Sequence, residues 1–370
     1  MNKNMVLVES PGRINMIGEH IDYNGGVVMP ASINKKLLIE IQSSTSEYSI
    51  IKSKLFNESI KVDLKKFKRS EVSWHNFILG VLDNLINKKG FELSNFHCVI
   101  GGDLPVGAGI SSSSALICGL LKGICLINNL NLNKDDIIKI AREVEHEYIG
   151  VKGGIMDQFT IMNGKTDKLI LLDCRDRTHK YIDIDFNQHK ILLLNTNVKH
   201  NLSETSYNER VLQCGKALKI INGKDNKYKF LTEVPLEILQ KFKTHLNKKI
   251  FNRALFVIQE QERVHKAYNK LLTKDIYSFG ELMYESHEGL RNLYDVSCEE
   301  LDFLVDFSMD KKYVIGSRMM GGGFGGCVIN LIDSVFLKQY INDISDLYNN
   351  KFSLNLNSDV VTISNGLTNR

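Results

Sequence analysis

A glycine- and serine-rich stretch, Asp103-Leu-Pro-Val-Gly-Ala-Gly-Ile-Ser-Ser-Ser-Ser-Ala115, has the residue types needed to bind phosphate. Gly107 and Gly109 let backbone N–H groups approach an anion without obstruction by a side chain. The serines can bond phosphate oxygens or ligate Mg²⁺, and the apolar helix predicted after them presents unpaired N–H groups. A serine N-cap after an ordinary glycine turn is the alternative, but no Lys follows the glycines as in a P-loop. We therefore predict a phosphate loop of another class.

A second glycine cluster occupies residues 316–326. Within it, Gly321, Gly323 and Gly326 match the dinucleotide-binding pattern G-x-G-x-x-G. That pattern requires a helix immediately afterwards, whereas residues 327–332 have the apolar composition of a strand. We therefore reject the dinucleotide interpretation and predict a turn packed against another loop or a ligand, with a purely structural turn as the alternative.

Polar side chains interrupt an apolar sequence at residues 11–26. Arg13 and Asn15 alternate with apolar residues, so they are predicted to share one face of an extended segment. Three more polar residues follow within four positions: Glu19, His20 and Asp22. This mixture of donors and acceptors suits a polyhydroxylated ligand, in which each hydroxyl needs a partner. The alternative is a solvated turn with an incidental ion pair.

Two acidic residues lie in apolar surroundings farther along the chain. Asp157 follows a glycine pair and is predicted at the start of a helix, where the helix dipole favours an ionised carboxylate. Glu145 is predicted on the flank of the apolar face of another helix, where it could hold Mg²⁺. The alternatives are a helix-start Asp without chemistry and an exposed helix Glu.

Strands and helices are predicted to alternate along the chain, which gives an α+β protein. The predicted strands are 37–41, 98–100, 169–172, 191–195, 328–332 and 360–364, and the predicted helices are 74–87, 112–127, 134–148, 204–221, 253–272 and 299–306. Asn133 is the predicted N-cap of the third helix. The length of 370 residues suggests two domains, which we place at residues 1–195 and 196–370.

The composition is that of a soluble globular protein, with 43% hydrophobic and 24% charged residues. The net charge of +4 comes from scattered Lys and Arg, so no nucleic-acid partner is expected. The seven Cys include no Cys-x-x-Cys pair, which favours reduced thiols. The most apolar stretch, 115–127, is too short to span a bilayer, and residues 1–10 have no signal-peptide core. We therefore expect a cytoplasmic location without a membrane partner.

Three segments together resemble the GHMP kinase superfamily and, within it, the galactokinase family. Residues 13–25, Arg-Ile-Asn-Met-Ile-Gly-Glu-His-Ile-Asp-Tyr-Asn-Gly, resemble the galactokinase signature. Residues 105–113 and 316–327 resemble the superfamily phosphate loop and third motif, and shorter matches at 154–158, 286–287 and 294–302 extend the resemblance over nearly the whole chain. The resemblance implies a two-domain GHMP-kinase-like α+β fold, with a ribosomal-S5-like N-terminal domain and a ferredoxin-like C-terminal domain.

The same resemblance implies an ATP-dependent sugar kinase that phosphorylates the C1 hydroxyl of galactose, with Mg²⁺ as cofactor and a monomeric state. Its implied catalytic residues are Asp157, which takes or orients the proton of that hydroxyl, and Arg13, which holds the carboxylate ionised. The implied binding residues are Glu19, His20, Asp22, Gly154 and Tyr207 for the sugar, Trp74, Gly107, Gly109, Ser111, Ser112 and Ser113 for the nucleotide, and Ser113 and Glu145 for the metal.

The chain departs from the family pattern at Ile21 and Met320, where a Thr is usual, and in its shorter leading segment. Ile21 is expected on the sugar side and Met320 near the phosphates, so related kinases for N-acetylgalactosamine or L-arabinose stay open. A mevalonate- or homoserine-type kinase would share the phosphate loop but would not explain residues 13–25. The alternative from another class is an inactive regulator that binds galactose and ATP, against which Asp157, Arg13 and the intact Ser114-Ala115 junction argue. Trp74 could instead be a core anchor of its helix.

Overall fold

The computed structural model describes residues 5–198 and 203–370. Its strands are β1 (Met5–Asn15), β2 (Val27–Val28), β3 (Pro30–Ser43), β4 (Ser49–Ser53), β5 (Glu58–Val62), β6 (Phe96–Gly102), β7 (Lys168–Asp173), β8 (His179–Asp183), β9 (His189–Asn195), β10 (Val314–Met320), β11 (Cys327–Asp333), β12 (Asn357–Val361) and β13 (Thr368–Asn369). Its α-helices are α1 (Ser73–Asp83), α2 (Ser112–Ile127), α3 (Lys134–Glu143), α4 (Met156–Asn163), α5 (Ser203–Asn222), α6 (Leu236–Lys241), α7 (Lys248–Leu272), α8 (Ile276–Gly289), α9 (Glu299–Met309) and α10 (Leu337–Phe352). The α+β class predicted from the sequence is confirmed.

A six-stranded sheet, in the order β13-β1-β3-β6-β4-β5, carries the first half of the fold. All its pairs are antiparallel except that between β4 and β6. Helix α2 packs on β1 and β3. Gly119 makes this approach possible, because a Cβ at that position would lie 2.6 Å from Ile39 Cδ1. The N-terminus of α2, which follows the glycine-serine stretch, is thereby fixed next to the end of β1.

A four-stranded antiparallel sheet, in the order β10-β11-β9-β12, carries most of the second half. Strands β10 and β11 form a hairpin in which Met320 pairs with Cys327. Residues 316–320 of the second glycine cluster belong to β10, and residues 321–326 form the predicted turn. Strand β9 ends at residue 195, the last residue of the first predicted domain, but it pairs with β11 and β12 in this second sheet. The division into domains at residues 1–195 and 196–370 stays a prediction.

Several predicted elements have different ends in the structure. The helices predicted at 74–87 and 134–148 end as α-helices at Asp83 and Glu143, and each continues as a π turn, at Asn84–Lys88 and Val144–Ile149. The strand predicted at 360–364 is wrong in its second half. Residues 362–364 leave the second sheet because they bond to the β3 region instead, through Thr362 N to Asn34 Oδ1 and Ser364 N to Ser32 O.

The predicted N-cap of α3 is confirmed. The Asn133 side chain accepts from Asp136 N at 3.0 Å, and the Asp136 carboxylate accepts in return from Asn133 N at 3.0 Å. This capping box satisfies two backbone donors that a helix start would otherwise leave unpaired. Among the described residues, no helix has both the length and the apolar character needed to cross a bilayer.

Candidate active site

One cavity collects side chains from the polar segment 11–26, the glycine-serine loop, α4 and the turn of the β10–β11 hairpin. Its lining residues are Arg13, Glu19, His20, Asp22, Phe77, Ser113, Ser114, Glu145, Ile149, Val151, Gly153, Gly154, Met156, Asp157, Gln158, Tyr207, Gly321 and Gly322. The segments that contribute are far apart in the sequence, so the cavity exists only in the folded chain. It brings together both predicted catalytic residues and all the predicted sugar contacts.

Asp157 is the centre of a hydrogen-bonded cluster in this cavity. It lies in the first turn of α4, as predicted. Arg13, at the end of β1, donates from Nε to Oδ1 at 2.7 Å and from Nη2 to Oδ2 at 3.0 Å. Ser111 Oγ donates to Oδ2 at 2.5 Å. The carboxylate is therefore held by a bidentate ion pair and a hydroxyl, which fixes its orientation.

The glycine-serine loop has the backbone geometry of an anion cradle. Gly107 and Gly109 have φ of +75° and +71°, in the left-handed region where glycine is favoured. Ser111 also has a positive φ, of +61°, although it carries a side chain. The Oγ of Ser111 does not cap α2, because it donates to Asp157. The strained serine therefore joins the end of the loop to the carboxylate.

The two glycine clusters pack against each other. A Cβ on Gly321, whose φ is +84°, would lie 2.8 Å from the carbonyl oxygen of Gly109. Arg13 Nη1 donates to the same carbonyl oxygen at 2.6 Å. The prediction that the second cluster is a turn packed against another loop is confirmed.

Asp22 and Gly154 face each other on the far side of the cavity. A Cβ on Gly154 would lie 2.1 Å from Asp22 Oδ2, so only glycine fits at that position. Burial, together with the neighbouring carboxylates of Asp157 and Glu19, raises the pKa of Asp22 to about 7. Tyr207, from α5, lies beside them with its ring 5.3 Å from that of His20.

Glu19 and His20 are nearly fully buried, with exposed fractions of 2% and 4%. Glu19 Oε1 accepts from Arg318 Nη2 at 3.1 Å and from Gly321 N at 3.0 Å. His20 Nε2 lies 3.2 Å from the carbonyl oxygen of Gly322. Burial lowers the pKa of His20 to about 3, so its ring is neutral at physiological pH. Both side chains therefore connect the signature segment to the hairpin turn.

Glu145 lies where α3 widens into a π turn, a helix irregularity that is frequent at functional sites. Its Oε1 accepts from Ser114 Oγ at 2.6 Å, and its Oε2 accepts from Gln158 Nε2 at 2.5 Å. Burial raises the pKa of Glu145 to about 7. Ser113 lines the same cavity. In the part of the chain that the structure describes, no three His, Cys, Asp or Glu side chains are grouped as a metal site.

Comparison with known proteins agrees with this geometry. The "GHMP kinases N terminal domain" family matches residues 76–165, the "GHMP kinases C terminal" family matches residues 267–335, and the "Galactokinase galactose-binding signature" matches residues 1–43. The galactokinase of Clostridium tetani is 39% identical over 345 residues, which cover 92% of this chain and 87% of that protein. The galactokinase of Thermotoga maritima is 37% identical over 361 residues, which cover 97% and 99%.

The chain belongs to the galactokinase family. Its fold matches the crystal structure of Lactococcus lactis galactokinase complexed with galactose, with a TM-score of 0.93, 30% identity and coverage of 99% and 95% of the two chains. The mevalonate kinase of Methanococcus jannaschii has the same fold, with a TM-score of 0.70 at 21% identity. The GHMP-kinase-like fold and the sugar kinase class predicted from the sequence are confirmed.

Two departures from the galactokinase pattern lie outside the cavity lining. The Ile21 side chain is fully buried and packs on Gly26, where a Cβ would come 2.6 Å from Ile21 Cγ1. The expectation that Ile21 lies on the sugar side is therefore wrong: its apolar side chain joins the core instead. Met320 is also fully buried, and its Sδ lies 3.5 Å from Asn15 N.

Of the six predicted nucleotide contacts, Ser113 lines the cavity, whereas five do not: Trp74, Gly107, Gly109, Ser111 and Ser112. Trp74 donates from Nε1 to Glu58 at 2.7 Å, and its ring stacks on Phe56 with the centroids 5.5 Å apart. Ser112 precedes the two lining serines. Sequence reasoning assigned no contact in the site to three residues that hold it: Ser114, Gln158 and Arg318. Gln158 directly follows Asp157 in a matched motif, which was the available signal.

Proposed function

We propose that this galactokinase-family chain transfers the γ-phosphoryl group of ATP to the C1 hydroxyl of galactose, giving galactose 1-phosphate and ADP. The observation that carries the proposal is the Arg13–Asp157–Ser111 cluster. In this cluster an oriented carboxylate lies between two regions: a pocket whose side chains can hydrogen-bond to sugar hydroxyls, and a glycine loop suited to phosphate. Phosphoryl transfer requires mainly positioning and neutralisation of charge, and these groups supply both.

In the proposed arrangement, Asp157 faces the C1 hydroxyl of the sugar. Both its oxygens already accept hydrogen bonds, from Arg13 and Ser111. Such an acceptor is a weak base, which favours orientation of the hydroxyl towards the phosphorus over complete removal of its proton in advance. Arg13 is held 5% exposed between Asp157 and the Gly109 carbonyl, where it would also stabilise charge that develops during transfer.

The sugar would occupy the side of the cavity lined by Glu19, His20, Asp22, Gly154 and Tyr207. Asp22 supports this placement because its carboxylate faces the cavity at a pKa of about 7 and meets no side-chain donor among the described residues. Glu19 uses Oε1 within the protein, and its Oε2 has no protein donor in the described part of the chain. Two carboxylates are thus available to accept sugar hydroxyls.

The nucleotide would lie along the loop of Gly107, Gly109, Ser111, Ser112 and Ser113, with Trp74 near the base. The residues present fit Mg²⁺, which is usually held by one or two carboxylates together with phosphate oxygens. Glu145 and Ser113 would hold it, because they line the same cavity next to the loop. When bound, Mg²⁺ supplies positive charge against the phosphates. The cytoplasmic location and the monomeric state stay predictions.

A coupled ADP assay over galactose, N-acetylgalactosamine, glucose, arabinose and mevalonate tests the proposed substrate. We expect the highest kcat/KM with galactose. A higher kcat/KM with N-acetylgalactosamine or arabinose would show that this sugar, and not galactose, is the preferred substrate. Tight galactose binding without ADP release would favour the inactive regulator. Mevalonate serves as the negative control, because a mevalonate kinase shares the fold, whereas residues 13–25 of this chain lie within its match to the galactose-binding signature.

A further inference from the structure

A buried chain of hydrogen bonds runs from the cavity into the interior of the second half. His20 Nδ1 lies 2.8 Å from Tyr23 Oη, which lies 2.7 Å from Tyr294 Oη. Tyr294 Oη lies 3.2 Å from Cys214 Sγ. Tyr294 is fully buried, and Cys214 is 1% exposed. Four polar groups from three distant segments therefore meet in a largely buried region, with Tyr23 partly exposed, where a group without a partner is costly.

Counting the available protons shows which group donates and which accepts in each of these hydrogen bonds. His20 Nε2 faces the carbonyl oxygen of Gly322, which can only accept, so Nε2 must carry the proton. A neutral ring then has an unprotonated Nδ1, so Tyr23 must donate to it. Since Tyr23 has spent its one hydroxyl proton, Tyr294 must donate to Tyr23, and the thiol of Cys214 must donate to Tyr294. Every member donates once and accepts once between the thiol and the carbonyl.

The segment of Tyr294 also holds the hairpin turn from the opposite side. Phe324 N, in that turn, donates to Val296 O at 2.7 Å. A Cβ on Gly323 would lie 2.1 Å from the same oxygen, so the two backbones are in close contact. Asp295, between these residues, has φ of +56°, and its carboxylate accepts from Arg253 Nη2 at 2.7 Å. The turn that carries Gly322 is thus contacted by the segment 294–296 at Gly323 and Phe324, and by His20 at the Gly322 carbonyl.

We propose that Tyr294 is a positioning residue for sugar binding. Its hydroxyl orients Tyr23, Tyr23 donates to His20 Nδ1 and thereby holds the imidazole ring in place, and His20 Nε2 donates to the Gly322 carbonyl on the cavity wall beside Tyr207. Tyr294 itself does not line the cavity. This inference deepens the proposed function and rests on it, because the wall in question is the proposed sugar side.

Tyr294→Phe removes the hydroxyl and keeps the ring, so the fold is preserved. We expect this variant to raise KM for galactose about 3- to 10-fold, with KM for ATP unchanged, because the two buried hydrogen bonds lost, to Tyr23 and Cys214, lie behind the sugar wall and not at the nucleotide loop. Tyr23→Phe should raise it more, because His20 then loses the donor to Nδ1. Tyr340→Phe is the matched control: Tyr340 is fully buried and bonded to Ser308 at 2.7 Å, outside the cavity.

The ring nitrogens of His20 give a second measurement that does not depend on activity. ¹⁵N spectra of the ligand-free protein, assigned by comparison with His20→Gln, should show Nε2 protonated and Nδ1 unprotonated. Both Tyr294→Phe and Tyr23→Phe should keep this tautomer, because the Gly322 carbonyl still accepts from Nε2. Each should shift the Nδ1 resonance, and Tyr23→Phe should shift it more, because Nδ1 then loses its hydrogen-bond donor; Tyr340→Phe should leave it unchanged. If the two tyrosines had a purely structural role, both substitutions would lower the stability of the protein without changing the ¹⁵N signals of His20.

Two results would overturn the inference. One is an Nδ1–H tautomer of His20 in the wild-type protein. The other is a KM for galactose that changes equally in Tyr294→Phe and Tyr340→Phe. If the wild-type protein phosphorylated no sugar, the proposed function would fail instead, and the tautomer measurement would still test the hydrogen-bonded chain.

Discussion

We expect the Asp22 carboxylate to lower the free energy of unfolding of the ligand-free protein, although it is needed for sugar binding. Its carboxylate lies between Gly154 and the other acids of the cavity, and burial raises its pKa from 3.8 to about 7. Asp22→Asn keeps the shape and removes the charge. We predict a variant that is more stable than the wild type at pH 8 and binds galactose poorly, an exchange of stability for function that is common at binding sites.

The magnitude follows from linkage. Between pH 3.8 and about 7, the folded protein holds a proton on Asp22 that the unfolded chain has lost, so the stability of the wild type falls as the pH rises. A shift of this size corresponds to at most about 4 kcal/mol above pH 7, at 1.4 kcal/mol for each pKa unit. Because the carboxylate faces the cavity and stays half-buried, we expect about 2 kcal/mol.

Urea unfolding at pH 5 and pH 8 measures this effect, with galactose affinity determined by calorimetry in parallel. The stability gained by Asp22→Asn should be larger at pH 8 than at pH 5, and galactose should bind about 10- to 100-fold more weakly, as expected for a lost hydrogen bond to a charged group. Asp225→Asn, on the exposed surface, is the control. An equal gain at both pH values would refute the reasoning.

Three further predictions concern the chemistry and the nucleotide. Asp157→Asn should lower kcat about 10²- to 10⁴-fold in the coupled ADP assay while the protein stays folded by circular dichroism; near-full turnover would exclude the proposed role. Ser113→Ala should raise the Mg²⁺ concentration for half-maximal activity about 10-fold, and Ser114→Ala less, because Ser114 donates to Glu145 at 2.6 Å; the reverse order would assign the metal to Ser114. Trp74 is the one Trp of the chain, so ADP binding should change the intrinsic fluorescence, and an unchanged spectrum would contradict its placement near the base.

Local sequence signals were sufficient for the elements with strong periodicity. Helix α2 has the predicted ends, and the capping box of Asn133 and Asp136 marks the start of α3. Strand β1 was predicted only at its end, as the extended segment that contains Arg13 and Asn15, because Pro11 and Gly12 interrupt its pattern. The register shifts at that point, between Pro11 and Arg13. Helix α10 was missed although Tyr340, Ile344 and Tyr348, all fully buried, recur every four residues.

The residues proposed for catalysis and for the sugar could be recognised in the sequence, because the motifs that contain them are local, and the structure brings them to one cavity. Their connections could not be predicted, because they depend on contacts between distant segments. Nothing in the sequence indicates that Ser111 bonds Asp157, 46 positions away, or that Arg318 bonds Glu19, 299 positions away. The π turn that carries Glu145 was likewise invisible, because a widened turn leaves the helical period nearly unchanged.

The charges around the cavity have a consequence for the end of the catalytic cycle. Among the described lining residues, the carboxylates belong to Glu19, Asp22, Glu145 and Asp157, whereas the guanidinium of Arg13 is the single Lys or Arg charge. A neutral sugar enters such a compartment as a donor of hydrogen bonds. A sugar phosphate that has just formed there carries about two negative charges, and the carboxylates of the cavity repel it. The same carboxylates that accept hydrogen bonds from the substrate therefore favour release of the product.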